Sequence, residues 1–118
     1  MIAQTLDYIK LIWYDNAMID TVKISKVLGD PIRHKILLML VGHSEQPGLC
    51  CSIPDGGICN CEIMAAFGMI QSRVSYHMKE LVDAGLVREV PEGKWKYYFL
   101  NADVLKEYIE QLEQDFKL

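Results

Sequence analysis

Long apolar runs are missing from this 118-residue chain. The longest, such as residues 36–41, fall far short of the roughly 20 residues that a membrane-spanning helix requires. The N-terminus lacks the basic-then-apolar pattern of a signal segment, so a soluble cytoplasmic protein with no membrane partner is expected. Also missing are a nucleophile paired with a base, a phosphate-cradling glycine motif and an open-site metal triad, which makes an enzyme the least favoured class. Internal repeats and low-complexity tracts are absent. Positive charge is scarce, the formal net charge being −4, which disfavours non-specific nucleic-acid binding unless the charges lie on separate faces. Cysteine is confined to one stretch holding Cys50, Cys51, Cys59 and Cys61, unlike a disulfide framework spread out to staple a fold.

What is present fits one domain over residues 1–118, with 51% apolar and 24% charged residues to build a single core. Ile2, Leu6, Ile9 and Trp13 recur at helical spacing, and Tyr8 and Ile12 widen the stripe, so a first helix ends near Asp15 or Asn16. A second helix is expected over 19–28, stopping at Gly29. Asp30 and Pro31 supply the cap and first turn of a third that runs to about Val41 with Ile32, Ile36, Leu37 and Leu40 facing the core. Residues 43–58 hold Pro47, Gly48, Pro54, Gly56 and Gly57 without apolar periodicity, and read as a loop. Loops of that length are usually functional or disordered.

Asn60 is a candidate N-cap for a short helix over 61–67, Gly68 opens a turn, and a second helix over 71–84 closes at Gly85. This is helix-turn-helix spacing. Residues 86–90 and 94–100 alternate and are rich in β-formers, with Pro91, Glu92 and Gly93 as the turn of a hairpin. Val104, Leu105, Tyr108, Ile109, Leu112 and Phe116 mark a last amphipathic helix. The expected fold is mainly α with a two-stranded β wing, a winged helix-turn-helix.

Charge is segregated along this plan. Five acids stand against two lysines between Asn101 and Leu118, whereas Arg73, Lys79, Arg88, Lys94 and Lys96 lie in the middle third. In the 71–84 helix, Val74, Met78, Leu81 and Val82 would anchor one face. That leaves Gln71, Ser72, Arg73, Ser75, Tyr76, His77 and Lys79 as candidate DNA contacts, with Arg suited to guanine, Gln to adenine, and Ser, Tyr and Lys to phosphate. A solvated polar face is the plainer reading of that helix alone; the hairpin behind it shifts the balance. Lys94 and Lys96 would project on one side and Trp95, Tyr97 and Phe99 on the other, a charged ribbon able to follow a DNA backbone, with the aromatics serving as core and wing packing.

The four cysteines read as ligands for one soft ion, since thiolates select soft or borderline metals. Residues two apart on a regular helix point to nearly opposite sides, so Cys59 and Cys61 chelate together only if a helix begins between them. Asn60 as N-cap would achieve this, leaving Cys59 outside the helix and Cys61 in the first turn, where the helix dipole favours the thiolate. His34 reads as a helix-surface residue and His77 as a DNA-side one.

The segments LGDPIRHKILLML, QSRVSYHMKELVDAGLV and EGKWKYYFLN, in that order, resemble the entry helix, recognition helix and wing of the ArsR/SmtB family of metal-responsive winged-helix repressors. The resemblance covers residues 26–101. It implies a homodimer, paired through its first and last helices, that holds operator DNA when metal-free and leaves it when metal binds. The cysteines look like the arsenic-sensing branch, whose motif is C-x-C-x-x-C, but Met64 stands at the third position. Trivalent arsenic or antimony favours three sulfur ligands, so Cys50 or Cys51 is the candidate for the missing donor. All four together would instead suit zinc, cadmium or lead. The zinc-sensing site of the family's last helix is absent, because no histidine lies between Asp103 and Glu113. Rival readings are a thiol redox sensor and a structural zinc protein whose winged helix binds other proteins.

Overall fold

The computed structural model describes residues 19–45 and 57–118. The expected first helix lies outside them, as do Cys50 and Cys51. Helix α1 spans Thr21–Leu28 and begins at Asp20, whose carboxylate accepts from the Lys23 N–H at 3.0 Å. Helix α2 spans Pro31–Glu45. Its first turn is tied by Asp30, where Oδ1 accepts from the N–H groups of Ile32 at 2.8 Å and Arg33 at 3.1 Å. Those bonds, that of Arg33 foremost, hold the Asp30 carboxyl below its ordinary pKa. The helix continues past the expected end near Val41 and through Gly42. A helical glycine costs about 1 kcal/mol relative to alanine, and Gly42, unlike Gly68, Gly85 and Gly93, does not take the positive φ that terminates a helix.

Strand β1 is only Ile58–Cys59 and leads straight into helix α3, Asn60–Phe67. Gly68 ends α3 with φ +61° and returns its N–H to the Met64 carbonyl. Helix α4 spans Gln71–Asp83, followed by strands β2, Val87–Glu92, and β3, Trp95–Leu100. The hairpin turns at Gly93 and Lys94, between the paired Glu92 and Trp95, so Pro91 and Glu92 belong to the ladder rather than to the turn. Proline is tolerated there because β2 is an edge strand of the order β1-β3-β2. The third strand was not expected: two residues are too few to show alternation, and its pairing with Tyr97 and Tyr98 is distant in sequence. Helix α5 spans Ala102–Asp115.

The core lies where α2, α3, α4 and the base of the sheet meet. The expected stripes are buried in Ile36, Leu37 and Leu40 of α2 and in Val74, Met78 and Leu81 of α4, with Ile63, Leu86 and Tyr98 between them. Ile32 and Val82 pack at its margin. Helix α5 buries no residue fully; it rests on α1, where Ser25 Oγ and Tyr108 Oη hydrogen-bond at 2.7 Å. This is the mainly helical winged helix-turn-helix architecture that the sequence predicts. Among the described residues, no helix is long and apolar enough to cross a membrane.

Candidate nucleic-acid interface and thiol site

Helix α4 divides cleanly. Val74, Met78 and Leu81 fix it to the core, while Gln71, Ser72, Arg73, Ser75, Tyr76 and Lys79 stay exposed at its N-terminal half. His77 departs from that group: it is 5% exposed. It follows Val74 by three positions and adjoins Met78, so the helical period carries it onto the anchored side. Its Nδ1 lies 3.3 Å from Nη1 of Arg33, whose Nε donates to the Val27 carbonyl at 2.9 Å. Burial pushes the His77 pKa down, with Arg33 and Arg73 adding to the effect and Asp30 and Glu80 opposing it. A neutral imidazole then accepts from the guanidinium. His77 is therefore turned toward Arg33 of α2, away from the exposed face that carries the other candidate DNA contacts.

Two residues of this region escaped the sequence reading. Arg33 is one; its signal was its place three residues after the Asp30 cap. Ile70 is the other, an N-cap residue 71% exposed at the head of α4. An apolar side chain at that place suits the methyl group of thymine.

The wing is less simply charged than alternation predicts. Lys94 sits at the tip, its Nζ 5.3 Å above the Trp95 ring, and Lys96 Nζ lies 3.6 Å from Glu89 Oε1. The strand face that carries Lys96 continues into Tyr98, 1% exposed, and Tyr97 on the opposite face is also buried. Both faces of β3 are thus covered near its base, and the exposed cationic part is the distal end alone. Tyr98 donates to Glu89 at 3.1 Å, and burial together with that carboxylate raises the phenol pKa. Arg88 lies 4.9 Å over Phe99.

The cysteine pair is set at the junction of strand and helix. Cys59 is 1% exposed and Cys61 half-buried; their sulfurs are 2.7 Å apart. The cap of α3 is Cys59 itself, with extended backbone (φ −72°, ψ 146°) and Sγ accepting from the Cys61 N–H at 3.4 Å. Asn60 is the first helical residue, not the cap, because its side chain is drawn inward to Cys59 and β3. The helix still begins between the two cysteines, so the two thiols converge. A tetrahedral ion with bonds of about 2.3 Å to sulfur holds its ligands roughly 3.7 Å apart. A small opening of the pair thus fits a soft ion along one edge. Among the described residues no group of three or more His, Cys, Asp or Glu could hold a metal, so two sulfurs are what this part of the chain supplies. Met64 packs against the core.

Comparison with known proteins adds three kinds of likeness. The family model described as bacterial regulatory protein, arsR family, matches residues 30–89, from the α2 cap to β2. An uncharacterized HTH-type transcriptional regulator of Methanocaldococcus jannaschii is 30% identical over 92 residues, spanning 78% of this chain and 90% of its own. The arsenical resistance operon repressor of Staphylococcus xylosus is 38% identical over 88 residues, 75% of this chain and 71% of its own. Among solved structures, a homodimeric winged helix-turn-helix DNA-binding domain from Mycobacterium bovis superposes with TM-score 0.59 at 26% identity, covering 86% of this chain and 84% of that one.

Proposed function

The chain belongs to the arsR family of bacterial regulatory proteins, DNA-binding transcription regulators and not enzymes, and on that premise we propose that it is a cytoplasmic homodimeric repressor released from its operator by trivalent arsenic or antimony. Residues 1–118 then form one winged helix-turn-helix domain. The observation that carries the reading is the convergence of Cys59 and Cys61 at the start of α3, the helix directly before the recognition helix.

In this reading Arg73 and Gln71 address base edges, Ser72, Ser75, Tyr76 and Lys79 address phosphates, and Lys94 and Lys96 extend the contact along the backbone from the tip of the wing. Cys59 and Cys61 supply two thiolates and Cys50 or Cys51 the third. A trivalent metalloid would be held by these three sulfurs, and drawing Cys59 and Cys61 to it would shift the N-terminus of α3 and with it the spacing of the two recognition helices. A coupling of about 1–3 kcal/mol lowers operator affinity roughly 5- to 150-fold. The name of the Staphylococcus xylosus relative supports the metalloid. With all four cysteines engaged, the same site suits cadmium, lead or zinc.

The test is operator binding by fluorescence anisotropy, with DNA from upstream of the chain's own gene and reduced protein titrated separately with arsenite, antimonite, cadmium, lead and zinc. Release by arsenite or antimonite is expected from the native chain, and no release from Cys59→Ser/Cys61→Ser, which still binds DNA. Release from the double variant as from the native chain would overturn the site assignment.

A further inference from the structure

A buried amide is costly unless its donors and acceptors are met. Asn60 is 6% exposed, and its Oδ1 is shared by two donors: the Cys59 thiol at 3.4 Å and the Lys96 backbone N–H at 3.5 Å. The hydrogens run in one direction, from the Cys61 S–H to Cys59 Sγ and from the Cys59 S–H to Asn60 Oδ1. Cys59 also pairs with Tyr97 in the β1–β3 ladder, next to Lys96. Beyond Lys96 the contacts continue into the wing, its Nζ to Glu89 and Glu89 to the Tyr98 hydroxyl.

We propose that Asn60 is the positioning residue that transmits the state of the cysteine pair to the wing, so that Lys96 is held for DNA only while the thiols are unligated. This rests on the reading of Cys59 and Cys61 as ligands. When the Cys59 sulfur joins a soft cation, a sulfur–metal bond replaces the S–H bond and the proton leaves to solvent. The sulfur, now without a hydrogen to give, faces the lone pairs of Oδ1. The amide meets it by turning Nδ2 toward sulfur, which points a donor at the Lys96 N–H, so the Asn60 contact to β3 is lost. Ligation thus acts on the wing as well as on the recognition helix.

The test uses the full chain with cadmium as probe. Cadmium–thiolate absorbance reads occupancy without DNA, and anisotropy gives operator affinity with and without the ion. Asn60→Ala is expected to bind cadmium like the native chain while the loss of DNA affinity on loading shrinks by about 2- to 30-fold. A loss equal to that of the native chain would overturn the proposal. Should Asn60→Ala not fold, the Lys96 amide in the native chain decides: its NMR resonance shifts and its solvent exchange quickens on cadmium addition, or it stays put and the proposal fails. No cadmium absorbance in the native chain overturns the ligand assignment itself, and this inference with it.

Discussion

Helices α4 and α5 are both amphipathic in sequence, yet the molecule treats them differently. Helix α4 buries Val74, His77, Met78 and Leu81 and turns a polar face outward; α5 buries nothing fully and leaves Ile109 53% and, at its C-cap, Phe116 70% exposed. A groove of about 660 Å³, bordered by Val22 and Lys26 of α1 and by Leu112 and Phe116, runs along the α5 end. The comparison shows that an apolar stripe announces burial without saying which surface supplies it. For α4 the supplier is the same chain, and the polar remainder suits phosphates and base edges. For α5 the uncovered remainder sets Ile109, and Phe116 just past its end, among charged side chains, and those apolar residues suit a second copy of the chain in the proposed homodimer.

The largest test of that contrast sets Leu81→Ala against Ile109→Asp. The first empties a fully buried site and should cost about 2–5 kcal/mol in urea unfolding at any protein concentration. The second should leave the protomer folded and shift sedimentation toward the monomer; equal loss of folding in both would erase the distinction. Next, Arg73→Ala should weaken operator binding by about 1–3 kcal/mol while the unfolding midpoint stays put. A matching loss of stability would mean that the outer face of α4 is structural. The smallest effect concerns His77. Its folded pKa lies below the ordinary 6.5, so the unfolded chain takes up the proton more readily. Its contribution to stability is complete above that ordinary value and declines as pH falls through it toward the folded value. His77→Gln should flatten the slope of unfolding free energy between neutral and mildly acidic pH.

Local signals were the legible ones. The Asp30 cap, the Gly68 and Gly85 terminators and the stripes of α2 and α4 each act within a turn or two of the chain, where spacing and residue type suffice. What stayed hidden depends on distant partners. Strand β1 exists because β3 offers it Tyr97 and Tyr98. Asn60 outranks cysteine as a cap by preference, but Lys96, 36 residues away, competes for its side chain. His77 reads as polar and surface-seeking until Arg33 is found beside it. The convergence of Cys59 and Cys61 was legible, since it needs only a helix start between them; Cys50 and Cys51 lie outside the described residues.

Cys59 caps a helix and, in our reading, also catches an ion, and the two duties tolerate change unequally. A serine hydroxyl caps at least as well as a thiol while offering a soft ion nothing to prefer. One nucleotide separates the two codons. In the proposed function, that single change would leave a folded repressor that no longer answers to the ion.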